Sequence, residues 1–146
     1  MKAEEEFSFI VIDNSVAVTW VMDDERNPHS EQLLAEIRSG AMQPITLPLF
    51  WYEFRNMLIS NVRRRRIGAD KPPSLIREIR ALGIEEREVP NDDVVLELGL
   101  CHGLTGYDAS YLALAIEAQA ILATNDKQLA EAALREGLEL RTMLAL

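Results

Sequence analysis

The chain has 146 residues, 48% hydrophobic and 27% charged, a composition that predicts one globular domain with a full core. Its 24 acidic residues outweigh 15 lysines and arginines, and the net charge of -9 argues against a general electrostatic binder of nucleic acid. No apolar stretch is long enough to span a membrane, the start Met1-Lys2-Ala3-Glu4-Glu5-Glu6 is unlike a secretory signal, and the lone Cys101 cannot form an intramolecular disulfide.

A cytoplasmic protein with a single domain over residues 1–146 is therefore expected, with Cys101 as a small buried hydrophobe. No repeat, low-complexity tract or linker interrupts the chain. Residues 7–12 read as a buried strand, rich in β-branched and aromatic side chains. Residues 15–22 read as a short helix broken by Asp23-Asp24-Glu25. A helix over 28–39 has Pro28 in its first turn and Gly40 just past its end. A short strand over 44–47 leads into a long helix from about 48 to 65, ended by Gly68. Pro72 and Pro73 open a helix that stops near Gly83, and 86–89 reads as a strand. A helix over 91–101 takes Asn91 as its N-cap. After the Gly103 and Gly106 turn come a helix over 107–118, a strand over 120–124, a helix over 127–136 and a last strand over 138–141.

Strands alternating with helices predict a mostly parallel sheet covered on both faces. Such sheets place their sites beyond the C-terminal ends of the strands. Asp13 ends the apolar run Phe9-Ile10-Val11-Ile12, and Asp126 follows Ile121-Leu122-Ala123 within Thr124-Asn125-Asp126. Asp108 opens a helix, and Glu53 interrupts Leu49-Phe50-Trp51-Tyr52 and Phe54, where an unpaired buried carboxylate is costly. If the fold brings these four together, they make an oxygen-rich pocket suited to Mg2+ or Mn2+ and to phosphodiester hydrolysis. Asp13, Asp108 and Asp126 also suit plain helix-start roles, which are compatible with facing a pocket.

Ser15 and Thr124 are placed to hold carboxylates, and Asn56 to hold Glu53. His29 and His102 lack ligand spacing and read as surface residues, while Trp20, Trp51 and Tyr111 read as core or interface residues. Arg63-Arg64-Arg65-Arg66 complements a helix C-terminus, and the same run suits a phosphate-contacting rim. A phosphoacceptor receiver would want an acidic pair beside the first strand, and a haloacid dehalogenase phosphatase a second aspartate where Ser15 stands. Neither a phosphate loop with Lys-Ser/Thr nor Gly-x-Gly-x-x-Gly is present.

The chain resembles the PIN domain, most closely the VapC-like ribonuclease toxins of toxin–antitoxin pairs. The resemblance rests on Ile12-Asp13-Asn14-Ser15-Val16, on Pro48 with Glu53 and Asn56, on Leu104-Thr105-Gly106-Tyr107-Asp108-Ala109-Ser110-Tyr111-Leu112-Ala113, and on Leu122-Ala123-Thr124-Asn125-Asp126-Lys127-Gln128-Leu129. It implies a three-layer α/β/α sandwich with a parallel sheet of about five strands. It also implies a Mg2+- or Mn2+-dependent endoribonuclease with Asp13, Glu53, Asp108 and Asp126 as catalytic and metal-holding residues. The implied partners are an RNA substrate, a small antitoxin protein and a second copy of the chain; Trp20, Leu33, Leu34 and Ile37 suit an antitoxin groove and plain core packing equally well. A catalytically silent binding or regulatory module on the same fold is the alternative.

Overall fold

The computed structural model describes residues 8–88 and 91–146. Phe7 and Val89, expected in the first and third strands, lie outside the described residues. The elements follow in the order β1 (Ser8–Ile12), α1 (Asn14–Val21), α2 (Pro28–Arg38), β2 (Met42–Thr46), α3 (Leu49–Arg63), α4 (Pro72–Arg80) and β3 (Glu85–Glu86). They continue with α5 (Asp92–His102), α6 (Gly106–Ala118), β4 (Ile121–Ala123), α7 (Lys127–Arg135) and β5 (Leu140–Arg141). Asp23–Glu25 forms a short 3-10 turn after α1.

The strands pair in the order β3-β2-β1-β4-β5, and every pair is parallel. Parallel neighbours need crossovers, and crossovers are right-handed. The chain steps outward from β1 through β2 to β3, so α1 to α4 cover one face. It then returns past β1 to β4 and β5, so α5 to α7 cover the other. The packing agrees: α1 meets α2 and α3, and α3 meets α4, while α6 meets α5 and α7. This is the expected three-layer sandwich.

Strand order reverses at the β1–β4 pair, and a crevice opens beyond the C-terminal ends at such a reversal. Ile12 pairs with Ala123 there, so the residues after both strands emerge side by side. The sheet centre is fully apolar: Ile10, Val11, Ile12, Ile45, Leu122 and Ala123 are all 0% exposed. Thr46 is the buried polar exception, and its hydroxyl donates to the Ile12 carbonyl at 2.8 Å.

Local signals set most boundaries. Asn27 caps α2 with a reciprocal capping box to Ser30, Pro28 fills its first turn, and Gly40 leaves it at φ +83°. The long helix α3 ends at Arg63, two residues short of the expected bound, because Arg65 turns into the left-handed region at φ +58°. That turn folds Arg66 back onto Asp24 at 2.7 Å, Glu25 at 3.3 Å and Asn61 at 2.9 Å. Arg66 is thereby a clasp between the helix end and the 3-10 turn. Arg63, Arg64 and Arg65 remain exposed.

Two expectations are corrected, at Cys101 and at His102. Trp20, Leu33, Leu34 and Ile37 take the core reading of the two they suited; none is more than 7% exposed. Trp20 also donates its indole N–H to the Ser30 carbonyl at 2.8 Å, tying α1 to α2. Cys101 is exposed, because α5 packs through Val95, Leu98 and His102 and Cys101 falls on the flank of that strip. His102 is no simple surface residue: its ring is covered, and Nε2 lies 3.0 Å from Glu136 Oε2 across the α5–α7 gap. Among the described residues, no helix is long and apolar enough to cross a membrane.

Candidate active site

Asp13 follows β1 directly and is 5% exposed. It is the N-cap of α1, and its Oδ1 accepts from the Val16 N–H at 3.2 Å. The Ser15 hydroxyl donates to the same oxygen at 2.6 Å, and the Thr124 hydroxyl donates to Oδ2. These hydroxyls are themselves oriented. The Asn125 N–H donates to Ser15 Oγ at 2.7 Å and the Asp126 N–H to Thr124 Oγ1 at 3.1 Å. Each hydroxyl has a single proton, and because the Asp13 carboxylate can only accept, both protons turn toward it. A carboxylate has about four acceptor sites. Three are filled here, which leaves one on Oδ2.

Asp126 caps α7, with Oδ1 accepting from the Leu129 N–H at 2.9 Å, and its side chain is otherwise exposed. Asp108 is half-buried in the first turn of α6. Thr105 caps that helix by accepting the Asp108 N–H at 3.1 Å. Three helix N-termini therefore present their positive ends to three of the acids. Glu53 comes from the other layer, one turn into α3. The Tyr111 hydroxyl, on α6, donates to its Oε1 at 2.6 Å. Asn14 supports the same approach by donating Nδ2 to the Phe50 carbonyl at 3.0 Å, in the first turn of α3.

Electrostatics link the four groups. Burial pushes the Asp13 carboxyl up from 3.8 to about 6 despite its three hydrogen bonds, and the charge of Asp108 adds to the rise. Asp108 is raised by burial, then by the charges of Asp126 and Glu53. The Tyr111 phenol is pushed far up, first by burial, then by its bond to Glu53 and by the charges of Glu53, Asp13 and Asp108. It stays an O–H donor at any working pH. Asp108 thus feels the other three acids, and the four share one field. Among the described residues, however, no three His, Cys, Asp or Glu side chains are gathered closely enough to cage an ion. The donors are all hard oxygens whose charges repel one another, which fits a cation that keeps much of its own water.

All four expected acids reach this edge of the sheet, and Ser15 and Thr124 hold Asp13 as expected. Asn56 does not hold Glu53: it is exposed on α3, and Tyr111 takes that place. Tyr111 was expected only as core or interface, yet it lies three residues after Asp108, on the same helix face, which is the signal that marks it. Asn125 is the other addition. Its Nδ2 donates to the Ser15 carbonyl at 3.1 Å, and its Oδ1 accepts from the Met143 N–H at 3.0 Å and the Thr142 hydroxyl at 3.3 Å. It pins the last residues of the chain to the start of α1.

Residues 10–134 match the PIN domain. The chain belongs to the PIN domain family. All four acids fall inside the matched span. The chain is similar to Ribonuclease VapC3 of Pyrobaculum aerophilum, with 33% identity over 127 residues that cover 84% of this chain and 92% of that protein. Its fold is similar to the crystal structure of PAE2754 from Pyrobaculum aerophilum, with a TM-score of 0.67 and 22% identity over 92% of this chain and 90% of that one.

The raised Asp13 carboxyl makes this PIN domain's stability depend on pH. Between 3.8 and about 6 the folded state keeps a proton that the unfolded state has lost, so stability falls as pH rises through that window. In chelator, urea unfolding of the parent is expected to lose on the order of 3 kcal/mol across it. Asp13→Asn is expected to flatten that slope, leaving the part that the raised Asp108 contributes. Equal slopes for parent and variant would show that Asp13 titrates normally.

Proposed function

We propose that this chain is an endoribonuclease that hydrolyses RNA phosphodiester bonds with Mg2+ or Mn2+, and that it acts as the toxin of a toxin–antitoxin pair. The observation that carries the reading is the shared field of Asp13, Glu53, Asp108 and Asp126 at the strand-order reversal, in a PIN domain similar to a protein named as a ribonuclease. Carboxylates that feel one another's charge are costly at neutral pH unless protons or a cation offset the repulsion.

Asp13 and Asp108 are the main residues to hold the ion, Asp13 through the free site on Oδ2. Asp126 offers the oxygen that does not cap α7. Glu53 offers Oε2, either to a second ion or to the attacking water. A bound divalent ion supplies Lewis acidity, neutralising the phosphate and activating water for in-line attack. Ser15, Thr124 and Tyr111 hold the acids in place, so little reorganises during reaction. In-line attack by water with the 3′ oxygen as leaving group would give a 5′-phosphate and a 3′-hydroxyl. A small antitoxin would silence such a site by setting an arginine against the acids, a charge-assisted pairing that competes with the cation.

The proposed second copy has surface to cover. Leu96 and Leu100 lie one turn apart on α5 and are 62% and 87% exposed, an apolar strip that favours association. Sedimentation is expected to give twice the protomer mass for the parent and a shift toward monomer for Leu96→Glu with Leu100→Glu. A parent that sediments as a monomer removes the dimer.

The purified parent is expected to cleave RNA with Mn2+ or Mg2+ and to stop in EDTA. Asp13→Asn or Asp108→Asn is expected to lower the rate by roughly a hundredfold or more. Expression of the parent is expected to arrest growth, and expression of Asp13→Asn is not. An Asp13→Asn protein as fast as the parent would end the nuclease reading, and harmless expression of an active parent would end the toxin reading.

A further inference from the structure

Glu53 differs from the other three acids in how it is held. Asp13 and Asp126 are short side chains fixed by backbone N–H donors at helix starts. Asp108 sits in the first turn of its own helix. Glu53 is a long side chain in the body of α3, with three torsions to fix, and ordering it costs rotamer entropy. Its hydrogen-bond partner is one buried phenol. Tyr111 is 1% exposed, so its ring cannot follow a wandering carboxylate. The two residues belong to opposite layers of the sandwich, so their 2.6 Å bond also spans the edge where the layers meet.

We propose that Tyr111 is a positioning residue for Glu53: its hydroxyl holds Oε1 and thereby fixes Oε2 as the oxygen presented to the water or ion. The inference rests on the ribonuclease reading above and adds to it a residue that acts through Glu53. A Tyr111 that merely fills the core would need its ring and not its hydroxyl. Asn14 fixes the backbone of the first turn of α3, which leaves the side-chain torsions of Glu53 to Tyr111.

The test is Tyr111→Phe, which keeps the ring and removes the donor. Its kcat is expected to fall roughly ten- to a hundredfold, with KM for RNA little changed. In a Glu53→Ala background the same substitution is expected to change kcat by no more than about twofold, because its target is gone. Metal-free crystals are expected to show Glu53 in one rotamer in the parent and in a shifted or split rotamer in Tyr111→Phe, with the ring at 111 unmoved. An unchanged Glu53 rotamer in Tyr111→Phe overturns the proposal. So does an undiminished kcat, or an equal loss of kcat in the Glu53→Ala background. The parent and Asp13→Asn are assayed beside it. If the parent does not cleave, the ribonuclease reading fails on its own, and the crystal comparison alone decides whether Tyr111 positions Glu53.

Discussion

Asp13 is a carboxylate inside the fold, and everything around it serves to keep it there. Burial opposes its charge strongly enough to raise it to about 6 even with three hydrogen bonds. Two of those bonds come from hydroxyls that also accept backbone N–H donors from the segment after β4. The arrangement exists because β1 and β4 are neighbours. A sheet in any other strand order would send Ser15 and Thr124 to different places, and Asp13 would be an ordinary helix cap.

The same topology explains why the site draws on both layers. Helices α1 to α4 and α5 to α7 are kept apart by the sheet along most of its length. They meet past the strand ends, where Tyr111 reaches Glu53 and Asp108 senses its charge. The acid cluster is therefore tied to the packing of the two layers on a common sheet. A shift of α3 relative to α6 alters the acid field without disturbing either helix. Local repulsion among the acids and the buried charge of Asp13 weaken the fold at this edge. Such a cost is tolerated where the site needs it.

Much of this was legible in the chain. The alternation of apolar runs with helical stretches gave the parallel sheet. Asp13, Asp108 and Asp126, each after a strand or at a helix start, were placed at the right edge, and Glu53 was marked by interrupting an apolar stretch one turn into α3. Capping residues such as Asn27 and Asn91 and the turn at Gly103 marked boundaries, because their signals are local. What was not legible depends on side chains far apart in sequence. Trp20, Leu33, Leu34 and Ile37 read equally well as groove or core, since an apolar helix face does not say what covers it. Arg66 looked like one of four equivalent arginines until the backbone turn at Arg65 brought it to Asp24 and Glu25. Tyr111 looked apolar because its ring is, and only the fold shows which acid its hydroxyl meets.

The proposed cation-binding centre draws on four carboxylates of separate origin. The most direct test is anomalous diffraction from crystals soaked in Mn2+. A peak is expected within bonding reach of Asp13 and Asp108, with Glu53 still bound to Tyr111. Density showing the four carboxylates undisturbed, with no ion among them at saturating Mn2+, would contradict it.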